Sequence, residues 1–184
     1  MSWLSGLMIN MFNDRTIVIS GELGANASSA AVSQMLLLDA TDPHQEIKLY
    51  IDSDAGLLSA GFAVCDAIEW VSAEVSTWAI GALGPVSALI VSSGAPGRRF
   101  ALPDSHITFR PPDLDTSPDN HLQSAIKDKW REEMVQILSE RTGKSSTTIA
   151  RDLENRLRLS PTDSVGYGIV DHIVAGGKYA PQMN

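Results

Sequence analysis

The chain has 184 residues, 43% of them hydrophobic, which is material for one domain with an ample core. A net charge of −8 and an isoelectric point near 4.8 argue against nucleic acid and anionic membranes as partners, because both carry the same sign. The single Cys65 allows no internal disulfide and fits a reducing cytoplasm, and no apolar run is long enough to span a bilayer without Gly, Pro or a charge interrupting it.

In chain order, residues 3–12, WLSGLMINMF, place Leu4, Leu7, Met8 and Met11 at a weak helical spacing. In a free monomer that patch is sticky, which points to a partner surface. It lacks a basic start and an A-x-A cleavage site, so it does not read as a signal peptide. Residues 16–20, TIVIS, form a β-branched strand closed by Gly21. Residues 25–40 predict a helix, with Asn26 or Ser28 as its cap and Val32, Met35, Leu36 and Leu38 as its apolar positions. Strands over 46–51 and 75–80, with a helix over 59–70 between them, repeat the strand–helix–strand unit. Such units form parallel pairs with right-handed crossovers, so the core is α/β. Cys65 lies on the apolar pattern of the 59–70 helix and reads as a buried structural thiol.

Residues 75–94, VSTWAIGALGPVSALIVSSG, organise the rest. A β-prone run turns through Gly81, Gly84 and Pro85 and continues as small and apolar residues. Proline suits the first helical position, which needs no backbone donor. Free N–H groups at such a helix start can hold a negative oxygen, so the turn is a candidate oxyanion hole. The loop at 52–58, DSDAGLL, leaves the carboxyl end of a core strand, the usual ligand side of an α/β sheet.

Residues 98–102 and 107–110 predict a hairpin-like strand pair around Pro103-Asp104-Ser105. The segment 111–120, PPDLDTSPDN, is rich in proline and acid and is a poor edge for strand pairing. Residues 121–142 predict the longest helix, ended by Gly143, with Leu122, Ile126, Trp130, Met134, Ile137 and Leu138 on one stripe. A helix over 145–156 with a Ser/Thr start follows. Then come a short one over 161–167 ending at Gly168, a last strand over 169–174 and a tail over 176–184.

Flanked by YIDSDAGLLSAGFAVCDAI and GRRFALPDSHITFRPP, the central stretch resembles the proteolytic subunit of Clp protease, ClpP. That family's pattern is roughly YINSPGGSVxAGLAIYD, VSTxxxGxAASMGALLLxAG and GKRxALPxSxIMIHQP, and the resemblance runs from about Asp14 to Val174. It implies a ClpP/crotonase-like single domain over 1–184, with a mostly parallel core sheet, flanking helices and a projecting handle helix. It also implies an N-terminal segment over 1–13 and a handle region over 111–142. The partners it implies are a heptameric ring, homo- or hetero-oligomeric, an active ClpP paralogue and a Clp ATPase. No cofactor or metal is expected, and His44, His121 and His172 show no metal-ligand spacing.

Carried over residue by residue, the family's nucleophilic serine falls on Pro85, its catalytic histidine on Arg110 and its catalytic aspartate on Arg156. The oxyanion-hole remnant is Gly56, the second of the family's paired glycines, with Val86; Asp54 and Ala55 replace the proline and first glycine. Proline offers no nucleophile, and arginine holds its proton at neutral pH. Substitutes are poor: Ser87 is roughly half a helical turn beyond Pro85, His106 is about 13 Å along the strand from Arg110, and Ser53, Ser59 and Asp104 have no base beside them in sequence. The expectation is a non-catalytic ring subunit partnering an active Clp serine protease. The alternatives are a crotonase-like oxyanion-hole enzyme using the Gly56 and Val86 N–H groups, or a self-assembled shell without proteolysis. Two guanidiniums about 4 Å apart repel by about 1 kcal/mol in water and about 4 kcal/mol near a protein surface. Arg110 and Arg156 should therefore share a carboxylate, from Asp52, Asp54, Asp113, Asp115, Asp152 or Glu154, or splay to solvent.

Overall fold

A computed structural model describes residues 10–112 and 121–174 of the chain. Its elements run β1 (Thr16–Ser20), α1 (Ala25–Thr41), β2 (Ile47–Asp52), α2 (Leu58–Trp70), β3 (Val75–Ala79), β4 (Ala82–Leu83) and α3 (Pro85–Ser92). They continue with β5 (Arg99–Ala101), β6 (His106–Thr108), α4 (His121–Thr142), α5 (Ser146–Glu154), β7 (Arg158–Leu159), α6 (Pro161–Tyr167) and β8 (His172–Ile173). Residues 10–13 are also helical. The architecture is α/β, as read from the sequence, and every pair in the five-stranded sheet β1-β2-β3-β5-β8 is parallel.

One face of that sheet supplies Ile17, Ile19, Ile47, Leu49 and Ile51 to the core, where α1, α2 and α3 pack. The opposite face carries one residue from each strand in a single registered row: Val18, Tyr50, Trp78, Phe100 and His172. The rings stack along it, with centroids 5.1 Å apart for Tyr50–Trp78, 4.3 Å for Trp78–Phe100 and 5.6 Å for Phe100–His172.

A second sheet, β4-β6-β7, corrects the expected hairpin. β5 and β6 do not pair with each other: β5 lies between β3 and β8, and β6 runs parallel to β4 and antiparallel to β7. The Pro103-Asp104-Ser105 turn therefore hands the chain from one sheet to the other. The last strand is also shorter than expected, His172–Ile173.

Helix ends follow their local chemistry. The Ser145 side chain accepts from Thr148 N–H at the start of α5, Ser160 and Asp163 form a reciprocal capping box at α6, and Gly168 closes α6 with φ 95°. At α1 the cap is Gly24 without any side-chain bond, so Asn26 and Ser28 lie inside the helix rather than capping it. Met35 and Leu38 are buried as expected, whereas Leu36 is exposed. The expected stripe of α4 buries Met134 and Leu138, with Trp130 and Ile137 packed partly against the core. The side chains of Leu122 and Ile126, the apolar positions before Met11, the acidic run after Pro112 and the C-terminal tail lie outside the described residues.

Arg15 does unannounced work. It is buried at the start of β1 with φ 55°, and its guanidinium donates to the carbonyls of Leu38 at 3.0 Å, Asp42 at 2.9 Å, Gln45 at 2.8 Å and Glu46 at 3.1 Å. One cation thereby gathers carbonyls at the end of α1 and along the turn after it, the Leu38 carbonyl also accepting from Asp42 N–H.

Candidate functional site

The central turn, the 52–56 loop and the residue after Phe109 meet at the start of α3. Pro85 occupies the first helical position and Gly84 the N-cap, as the sequence predicts, and every residue of the helix is buried. A proline costs nothing here because the first N–H of a helix has no intrahelical acceptor. Val86 follows, buried, and its methyl fills the space beside Gly61.

The loop lies tightly across this helix start. Gly84 N–H donates to the Ser53 carbonyl at 3.1 Å, and Ser87 Oγ donates to the same oxygen at 2.5 Å. Ser53 Oγ donates in turn to the Ala55 carbonyl at 2.8 Å. Both serines thus spend their protons on backbone carbonyls, which are no bases. Arg110 reaches back from the end of β6, and its Nη2 donates to the Asp54 carbonyl at 2.6 Å. Asp54, one of the six candidate carboxylates, meets the arginine here by its main-chain oxygen. The gap bordered by Asp54, Gly56, Gly84, Pro85, Val86 and Arg110 is nowhere wide enough to admit a water molecule.

Gly84 is what permits this closure. A Cβ built there stands 2.0 Å from the Asp54 oxygen and 2.7 Å from its carbonyl carbon, and backbone on both sides leaves little to yield. Gly84→Ala is expected to lower stability by about 2 kcal/mol, read as a shifted urea midpoint at unchanged m-value. A wild-type midpoint would show that the loop does not rest on the helix in solution. Gly56 has a packing reason of its own: a Cβ there meets Leu23 Cβ at 2.6 Å, where the two residues form a parallel bridge.

Arg156 stands just beyond α5, exposed, with φ 53°. The antiparallel pairing of β6 and β7 matches Ile107 with Leu159 and Thr108 with Arg158, and Phe109 N–H donates to Leu157 O at 2.8 Å. One step further along the same register sets Arg110 opposite Arg156. The left-handed backbone at Arg156 ends the ladder there. Of the other candidate carboxylates, Asp152 is buried and accepts from Tyr167 Oη at 2.8 Å and Arg151 Nη2 at 3.0 Å, while Asp113 and Asp115 lie outside the described residues.

Cys65 is the buried structural thiol expected, 3.4 Å from Ser93 Oγ, and burial pushes it up to about 12. Among the described residues no group of His, Cys, Asp or Glu is placed to hold a metal ion, and no helix is long and apolar enough to cross a membrane.

The pairing of a parallel α/β sheet with a Gly-Pro helix start and a crossing loop agrees with a family model. The model for Clp protease matches residues 4–177. The chain belongs to the Clp protease family. It is 32% identical over 171 residues to ATP-dependent Clp protease proteolytic subunit 1 of Chlamydia felis (strain Fe/C-56), which covers 91% of this chain and 84% of that one. It is also 32% identical over 171 residues to ATP-dependent Clp protease proteolytic subunit 2 of Chlamydia abortus (strain DSM 27085 / S26/3), covering 91% and 83%.

Within this Clp family member, sequence reasoning located Pro85, Val86, Gly56 and Arg110 at the site the structure assembles. It missed Gly84 as the contact residue and Ser53 as the shared acceptor. The signal for Gly84 was present in the G-A-L-G-P run, where a glycine just before the helix proline marks close backbone approach.

Proposed function

We propose that this chain is a non-catalytic, structural or regulatory subunit of a Clp-type assembly. The observation that carries the reading is Pro85 at the first position of α3, facing a loop that leaves no room for water. A peptidase of this family type needs a hydroxyl there, a base to take its proton and a carboxylate to orient the base. The residues in those positions are a proline and two arginines, Arg110 and Arg156. A crotonase-type enolate site finds no support in the same closed cleft, since both substrate and developing oxyanion need space beside the Gly56 and Val86 N–H groups.

Surface chemistry favours assembly. Trp70 is 81% exposed at the end of α2 and Leu37 57% exposed on α1, on the helical side of the sheet. On the opposite face, Val18 and Tyr50 border an open groove of about 780 Å³ that Lys48 and Ile80 also line. Exposed apolar side chains on one side of the protomer and a groove of mixed polar and apolar lining on the other suit head-to-tail contact, which closes into a ring when the rotation permits. The subunit is proposed to form a heptameric ring, alone or mixed with an active paralogue, in reach of a Clp ATPase. Sedimentation at micromolar concentration should give a species of about seven chains, alone or with an active paralogue. Monomer under both conditions would overturn the assembly reading.

A further inference from the structure

The ladder of β6 and β7 has two unlike faces. Ile107, Phe109 and Leu159 are buried, so Thr108 and its register partner Arg158 stand on the opposite face. Arg110 continues that face on β6, and the register sets Arg156 across from it at the end of the ladder. Partners across a ladder stand about 5 Å apart and alternate positions along a strand about 6.7 Å. Three arginines and one hydroxyl therefore rise from one small patch.

Gathered cations repel unless an anion answers them. Elsewhere in this acid-rich chain arginines meet carboxylates: Arg98 meets Glu46 and Glu74, Arg99 Asp171, Arg141 Glu69 and Arg151 Asp152. Arg156 and Arg158, both exposed, have no ion pair among the described residues, and the Thr108 hydroxyl has no hydrogen bond among them. Acids close in sequence are engaged elsewhere or stand apart. Asp152 is held by Tyr167 and Arg151, Asp163 by the Ser160 cap, and exposed Glu154 makes no ion pair among the described residues. Arg156 also holds a left-handed backbone, φ 53°, which Asn or Gly adopts more readily than arginine.

We propose that this face binds a short inorganic oligophosphate, its oxygens on Arg156, Arg158 and the Thr108 hydroxyl, with Arg110 adding charge from across the ladder. The planar fork of arginine matches phosphate oxygens two at a time. A monocarboxylate brings one charge to three cations, whereas a short chain of phosphates brings several. Nucleic acid is less suited, because it runs beyond the arginines and meets the field of a chain with net charge −8. The assignment stands whether or not the chain assembles in rings, and its test reads binding rather than cleavage.

The test is calorimetric titration of the full chain, at neutral pH and low salt, with tripolyphosphate, citrate and a phosphoserine peptide. Tripolyphosphate is expected to bind one per chain with Kd on the order of 0.1 mM. Citrate, a polyanion without phosphate, should bind at least about fivefold more weakly. Arg156→Gln and Arg158→Gln should each weaken tripolyphosphate by about tenfold. Both side chains are exposed and hold no ion pair among the described residues, so the loss reads the site rather than the fold. Lys129→Gln, on the exposed surface of α4, should bind as wild type does. No tripolyphosphate binding up to about 5 mM would overturn the proposal, as would undiminished binding by the Arg156→Gln/Arg158→Gln double variant. Citrate binding as tightly, or an equal loss in Lys129→Gln, would overturn it in favour of unspecific charge. Tighter binding of the phosphoserine peptide would overturn it in favour of a phosphorylated segment.

Discussion

Purified chain is expected to leave peptides and casein uncleaved and to take no fluorophosphonate label. Without a nucleophile and base, a triad site keeps at best the acceleration of its oxyanion donors, on the order of 10³–10⁴ over water. Here the cleft itself is closed by the Ser53–Ala55 loop and by Arg110 on the Asp54 carbonyl, so that remainder should be lost too. Pro85→Ser alone should restore nothing measurable, because Arg110 holds its proton and cannot act as base. Stoichiometric labelling of any serine, with turnover, would defeat the non-catalytic reading. Ser87 is the serine to watch, and its proton is already given to the Ser53 carbonyl.

Breaking the Arg99–Asp171 pair should have the largest effect on stability. Arg99 grips Asp171 through Nε at 2.9 Å and Nη2 at 2.5 Å, while its N–H donates to the same carboxylate at 3.0 Å and Asp171 N–H donates back at 2.7 Å. Nη1 also donates to the Gly168 carbonyl at 2.9 Å, so one guanidinium joins β5 to the end of α6 and the approach to β8. The side chains are only 13% and 18% exposed, so Asp171→Ala strands a mostly buried cation. The expected loss is about 3 kcal/mol, or roughly 6–12 °C in Tm for a chain of this size.

The pH dependence has a definite sign. Burial alone would raise the Asp171 carboxyl, but the hydrogen bonds and charge of Arg99 outweigh it and hold the group below its ordinary 3.8. A depressed carboxylate contributes fully above the unfolded value and loses its contribution as pH falls through the folded one. Wild type and Asp171→Ala should therefore differ most above about pH 4 and converge in more acidic solution. Equal urea midpoints at pH 7 would show the pair to be worth nothing.

How much was legible in the sequence follows from what each feature depends on. β1, α4 and α6 came out with the bounds the sequence predicts because residue type fixes them: a β-branched run before Gly21, an apolar stripe stopped at Gly143, and Pro161 and Gly168 bracketing one short helix. β4 and β7, two residues each, carry no periodicity to read. The expected β5–β6 hairpin failed because the turn residues specify only a reversal, while partners are chosen by burial across the sheet. Arg15 carries no local signal for its role, because the four carbonyls that hold its guanidinium are distant in sequence. At the site, Asp54 was one of six carboxylates expected to reach the arginines. It meets Arg110 through the carbonyl every residue has, so the identity of Asp54 carried no signal for that contact.

The row Val18–Tyr50–Trp78–Phe100–His172 also constrains how the chain can assemble itself. Parallel strands joined by long crossovers have no tight turn to fix their alignment, so the side chains must do it. If β3 slid by one residue, Trp78 would leave its slot between Tyr50 and Phe100 and thrust an indole under α3, and Thr77 or Ala79 would take its place on the outer face. No neighbouring slip relieves that clash. The stacked rings thus act as a gauge that only one threading of the strands can satisfy, and near-UV circular dichroism of Trp78 would report when that threading is reached.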